Sequence, residues 1–172
     1  GSAKWNRSSV RKVVTASDRA RTARRMVMEL LLADQPEREV AHHPESKLWQ
    51  WADRMDVRES RFPERATPAP DLSHPAMAVH LDACIHCNLC VRACREVQVN
   101  DVIGMAYRNV GSKIVFDMDD PMGGSTCVAC GECVQACPTG ALMPSSIVDE
   151  QGVGHPEIDR RVDSVCAYCG VG

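Results

Sequence analysis

The sequence predicts an α+β fold, with a helical lead-in followed by a small module of short helices and a β-hairpin tied together by metal. Three observations predict it. Two cysteine runs of matching spacing, Cys84-x2-Cys87-x2-Cys90-x3-Cys94 and Cys127-x2-Cys130-x2-Cys133-x3-Cys137-Pro138, occupy the second half of the chain. Apolar residues recur at helical spacing in its first third. Between the two cysteine runs lies a pair of short β-type segments around a turn.

The spacing has a physical origin. A cubane cluster needs four thiolates around it, and three cysteines two residues apart wrap one loop around three irons. The chain then turns into a short helix that carries the fourth cysteine away, toward the other cluster. This is the spacing of a bacterial-type ferredoxin with two 4Fe–4S clusters, and the runs are expected to exchange their last ligands. One cluster is assigned to Cys84, Cys87, Cys90 and Cys137, the other to Cys127, Cys130, Cys133 and Cys94. Pro138 cannot continue a helix and forces a turn with Thr139 and Gly140. Arg95 stands at the matching place in the first run, so that helix is free to continue through Glu96 and Val97. Structural zinc fits less well, because it uses paired C-x2-C units with roughly 12–20 residues between the pairs. A disulfide framework would call for an oxidising compartment and an export signal.

Composition narrows the classes further. The chain has 172 residues, enough for one or two small domains. Its aromatic residues are three Trp, two Tyr and two Phe, a thin supply for an ordinary core. Clusters that staple the fold compensate for this, so residues 80–145 are expected to be largely unfolded without metal. The net charge of −3 gives nucleic-acid binding no support. No apolar run reaches the roughly 18 residues of a membrane span.

Each element can be justified in order. Residues 1–16 read as a polar, disordered leader or tag. Ser17-Asp18 offers an N-cap and a first-turn acid for a helix over 19–33, within a helical segment spanning 17–56. Met26, Leu30 and Ala33 mark its expected apolar face, with Val27 and Leu31 beside it, and Arg21, Arg24 and Arg25 on exposed positions. Arg24-Arg25 before an apolar stretch has the outline of a twin-arginine signal, but Glu29 interrupts the stretch and an amphipathic helix is expected. A second helix is expected over 45–55, with Leu48, Trp51, Ala52 and Met55 on one face and Trp49 and Trp51 as anchors. His42 and His43 precede it, with no cysteine within thirty residues. Residues 57–77 carry Pro63, Pro68, Pro70 and Pro75 and read as a linker or extended wrap.

The cysteine module is placed at 78–148. Inside it, residues 102–107 and 113–116 predict a hairpin around Asn109-Val110-Gly111 that caps one cluster. Gly123, Gly124 and Gly131 are expected to let backbone approach the sulfurs. His80 is expected at the surface or in a supporting position behind a cluster. Arg92, Arg95, Arg108 and Lys113 are candidates to favour the reduced state from nearby.

The last segment, Val165-Cys166-Ala167-Tyr168-Cys169-Gly170-Val171-Gly172, looks like the start of the C-x2-C-x3-C motif that opens molybdenum or tungsten bis-pterin oxidoreductases. Its wording is most like that of formate dehydrogenases. Together with the helical lead-in and the two cysteine runs, it resembles the N-terminal iron–sulfur region of the catalytic α subunit of cytoplasmic, NAD-linked formate dehydrogenases. That region is similar to the large iron–sulfur subunit of complex I. Residues 25–34 and Ser60-Arg61-Phe62-Pro63 also read like this group.

The resemblance implies that residues 149–172 begin the bis-pterin domain and that Cys166 and Cys169 help ligate a third 4Fe–4S cluster. It also implies a molybdenum or tungsten bis-pterin guanine dinucleotide in a domain beyond, and an NAD/FMN-binding iron–sulfur β subunit as partner, with neither nucleic acid nor membrane insertion. Electrons from formate oxidation would cross this region, and none of the catalytic residues lies in it. Two departures stand out. Nothing before Ser17 could hold the 2Fe–2S domain many relatives carry there, and residues 34–57 lack the three cysteines that accompany a histidine in many of them. A ferredoxin-like module of a hydrogenase or complex I-like subunit is the alternative, and a module whose metal serves folding only is a third reading.

Overall fold

In the computed structural model, residues 14–64, 68–149, 152–154, 160 and 162–163 are described. Helix α1 spans Asp18–Leu32, where the Ser17 hydroxyl accepts the Ala20 N–H at 3.3 Å and Asp18 lies in the first turn. Helix α2 spans Lys47–Arg54. The two pack through Met28, Leu32, Ala41, Leu48, Trp49, Ala52 and Val57.

The buried face of α1 differs from the expected one. Met28, Leu32 and Ala33 are inside, whereas Met26, Val27 and Leu30 are exposed. The line facing α2 is Arg25, Met28, Glu29 and Leu32, and its two charged members find partners at the edge. The Arg25 guanidinium donates to the Asp56 carbonyl at 3.0 Å, and Glu29 pairs with Arg61 at 2.8 Å. On α2 it is Trp49, not Trp51, that enters the core. Trp51 lies half exposed beneath the Arg54 guanidinium, 4.8 Å from its ring centroid.

Strand β1, Met77–Val79, opens the cysteine module, and β4, Leu142–Pro144, closes it by antiparallel pairing, Met77 opposite Pro144 and Val79 opposite Leu142. Strands β2, Ile103–Ala106, and β3, Lys113–Phe116, form the expected hairpin around a 3-10 turn at Asn109–Gly111. Helix α3, Leu89–Arg92, runs on as a π-helix over Ala93–Val97, as the absence of proline after Cys94 allows. Helix α4, Glu132–Ala136, stops before Cys137-Pro138.

The proline-rich stretch is tied to the module near its end. Asp71 exchanges both backbone hydrogen bonds with Val79, and its carboxylate accepts the Met122 N–H at 2.7 Å. Gly123 serves this strap and not the sulfurs, because a Cβ there would lie 2.3 Å from the Ser73 carbonyl oxygen. Backbone hydrogen bonds tie the lead-in down on both sides of the module's end. The Leu48 N–H donates to the Pro138 carbonyl at 3.1 Å, and the Gly154 N–H donates to the His42 carbonyl at 2.7 Å.

Candidate metal centre

Both cysteine runs use one backbone recipe. His86 and Asn88 in the first loop, and Ala129 and Gly131 in the second, all have positive φ, from 55° to 79°. Alternating left-handed residues curl a loop into a nest whose N–H groups favour anionic sulfur. The second loop meets this demand with a glycine, while the first uses Asn88, the residue type after glycine that best tolerates it.

The described cysteines gather in two groups of four. The neighbours that act on Cys90 are Cys84, Cys137 and Cys87. Those that act on Cys133 are Cys127, Cys130 and Cys94. Each group takes three cysteines from one run and the last cysteine of the other. Burial, reinforced by these like neighbours, pushes both the Cys90 and Cys133 thiols up to about 12. Four thiolates packed this closely in a buried site repel one another. A cationic metal core relieves the repulsion as each thiol gives up its proton, so the donor set fits a thiolate-ligated cluster.

The surroundings suit such a group. Cys84, Cys87, Cys90 and Cys137 line one cavity with Ile114 and Leu142. Cys90, Cys94 and Cys133 belong to the module's buried core. Cys87 and Cys130, the second cysteine of each run, are exposed, so each group has one edge at the surface. The Val102 N–H donates to the Cys94 sulfur at 3.4 Å. The Thr139 hydroxyl lies 3.6 Å from the Cys137 sulfur. Contacts of this kind tune a cluster's potential. Thr139 went unrecognised as a sulfur neighbour, although its place directly after Cys-Pro was the available signal.

One expectation needs correction in part. Arg92 and Lys113 turn outward to Glu96 at 2.9 Å and Asp119 at 2.8 Å, so their charge is spent at the surface, whereas Arg95 pairs with Asp101 at 2.6 Å and still interacts with Cys94. Of the two places expected for His80, the surface is excluded, since it is 2% exposed; its N–H donates to the carbonyl of Ala141, which packs with Cys84 and Cys137, in keeping with the supporting one. Cys166 and Cys169 lie outside the described residues.

Residues 83–141 match the family model of the 4Fe-4S dicluster domain. Among curated proteins, the chain is 30% identical to "Probable oxidoreductase YjgC" of Bacillus subtilis (strain 168), over 59% of this chain and 14% of that protein. It is 25% identical to a "Putative formate dehydrogenase" of Staphylococcus haemolyticus (strain JCSC1435), over 70% of this chain and 16% of that protein. The chain therefore spans about one seventh of the length of these relatives, 14% and 16%. A solved structure of an NAD+-reducing NiFe-hydrogenase in the H2-reduced state superposes with a TM-score of 0.68 at 24% identity, covering 78% of this chain and 59% of that one. The likeness to the hydrogenase is one of fold. The cysteine module is a 4Fe-4S dicluster, ferredoxin-like domain with small antiparallel sheets.

Proposed function

We propose that this chain is the electron-relay region of a formate dehydrogenase catalytic subunit. Cys84, Cys87, Cys90 and Cys137 hold one 4Fe–4S cluster, and Cys127, Cys130, Cys133 and Cys94 hold the other. Cys166 and Cys169 contribute to a third, beside a molybdenum or tungsten bis-pterin centre in the domain that follows. When bound, such clusters supply one-electron carriers between that centre and an NAD- or flavin-binding partner subunit.

The observation that carries the reading is the gathering of eight thiols into two groups of four with their last members exchanged. The chain's own residues do the rest. They fix the two sites side by side, exclude water with Ile114, Leu142 and Phe116, donate N–H and O–H groups to sulfur, and leave Cys87 and Cys130 as edges for electron exchange. No helix among the described residues is long and apolar enough to cross a membrane. The formate reading draws its support from the relatives' names and from Tyr168-Cys169-Gly170. The hydrogenase-subunit reading draws on the fold likeness alone.

The test is metal and sulfide analysis of the protein purified anaerobically with its partners, followed by low-temperature EPR. About eight irons per chain or more, molybdenum or tungsten, and cluster signals that appear on adding formate are expected. Signals raised by hydrogen but not by formate would move the chain to a hydrogenase, and zinc without sulfide would overturn the cluster assignment.

A further inference from the structure

Against the wall of the first cysteine group, three side chains come together from distant parts of the chain. The ring of His42, from the lead-in, stacks on that of His80 with centroids 3.9 Å apart and planes 14° from parallel. His42 Nε2 lies 2.8 Å and 3.0 Å from the Asp82 carboxylate oxygens, and its Nδ1 lies 2.6 Å from the Gly152 carbonyl oxygen. The donor atoms of His42, His80 and Asp82 fall within 4.8 Å of one another, a grouping that suggests a metal ion. The stack argues against one. An imidazole binds metal in its own plane, and two nearly parallel planes share no nearby point.

The hydrogen bonds give a different answer. A carbonyl oxygen can only accept, so Nδ1 donates. The Asp82 carboxylate already accepts the Ala83 N–H at 3.0 Å, and it turns both of its oxygens to His42 Nε2. Nε2 therefore donates as well, and a ring that donates from both nitrogens is an imidazolium. Burial works against that charge, yet the bonds to Asp82 and Gly152 raise the His42 pKa above its ordinary value. His80 stays neutral beneath it, with its Nε2 buried and unpartnered, and offers its face to the cation. Gly152 closes the site at φ +83°, where a Cβ would lie 3.0 Å from His80 Cε1.

The stack is built onto the cysteines' own framework. Asp82 lies two residues before Cys84. The His80 N–H donates to the Ala141 carbonyl at 2.8 Å, and Ala141 packs with Cys84 and Cys137. Arg92 and Lys113 are engaged with Glu96 and Asp119, and the cation that pairs with Asp82 is His42, at 2.8 Å.

We propose that His42 is the counter-charge of Asp82, a positioning residue that keeps this carboxylate from acting as an unpaired negative charge beside the cluster of Cys84, Cys87, Cys90 and Cys137, and so sets that cluster's reduction potential. The inference rests on the reading that these four cysteines hold a cluster. An unpaired negative charge opposes the arrival of an electron, so loss of His42 lowers the potential.

The test is an EPR-monitored redox titration of the full chain, anaerobically loaded with iron and sulfide, comparing wild type, His42→Gln, Asp82→Asn and the double variant. In His42→Gln, one cluster is expected to become at least tenfold harder to reduce, which for one electron is about 59 mV, while the other keeps its potential. Removing the carboxylate in the double variant restores the first. Unmoved potentials in His42→Gln, or no restoration in the double variant, would overturn the proposal. A second measurement does not depend on the variants folding. Nitrogen-15 NMR of the histidine rings in the wild-type chain at pH 7 is expected to show protons on both His42 nitrogens, and a neutral His42 would sink the proposal. A wild-type chain that takes up no iron and sulfide would overturn the ligand assignment, a failure read from metal content before any potential or NMR spectrum is recorded on the loaded chain.

Discussion

The lead-in and the cysteine module sit against each other but are held together by different means. The lead-in encloses Met28, Leu32, Leu48, Trp49, Ala52 and Val57, without a cysteine among them. The module's core includes Cys90, Cys94 and Cys133, with Cys127 and Cys137 packed against it. The first is stabilised by burial, at roughly 25 cal/mol per Å2 of apolar surface. The second gathers buried cysteines whose thiolates repel one another, a repulsion that a bound metal core offsets. A chain this poor in aromatic residues can therefore carry two ordered regions, because one of them draws its stability from a cofactor.

The largest test of this contrast is removal of iron by anaerobic chelation. Amide hydrogen exchange is then expected to speed up across 77–144 while α1 and α2 keep their protection. A module that stays protected without metal would abolish the distinction.

The converse perturbation is Trp49→Ala. It should cost about 3–5 kcal/mol in the lead-in, read as a lower urea midpoint, while the cluster absorbance of the loaded chain is unchanged.

A smaller effect sits at the seam between the regions. Burial, then the charge of His42, holds the His80 pKa down to about 4. In the unfolded chain this ring takes up a proton near its ordinary pKa of about 6.5. Its contribution to stability is therefore constant above that value and is lost as pH falls from about 6.5 toward 4. His42, with its raised pKa, acts in the opposite sense, and its contribution is lost as pH rises through its folded value. Thermal unfolding across this range should show the acid-side fall, and His80→Phe should flatten it. Equal slopes in both proteins would remove His80 from the account.

The smallest expected effect is that of Arg92→Ala, whose side chain is 66% exposed and paired with Glu96. Neither the melting temperature nor either cluster potential should move.

These differences also mark what could be read from the sequence. The cysteine runs were legible because a cluster imposes a fixed spacing, and the hairpin because β-type residues flank Asn109-Val110-Gly111. The proline after Cys137 and its absence after Cys94 foretold where each helix stops. The buried face of α1 was not legible, since Met26, Val27 and Leu30 satisfy the helical period as well as Met28 and Leu32 do. The choice fell to Arg25 and Glu29, whose partners lie on another segment. Nor could the His42 stack be read in advance, because His42 and Asp82 stand 40 residues apart and meet only once the lead-in docks.

The pairing of β1 with β4 has a consequence for how the module is joined to the rest of its chain. Its first strand residue, Met77, lies directly opposite its last, Pro144. Facing residues of an antiparallel pair are only about 5 Å apart. A host chain that receives the segment between them is interrupted in sequence yet scarcely displaced in space, as if a loop had been lengthened. Tension on that host reaches the pair at its open end and peels it one rung at a time, so the junction acts as a zipper and not as a shear joint. What such a segment asks of the chain that carries it is iron, sulfide and the strap of Asp71 and Ser73 laid across it.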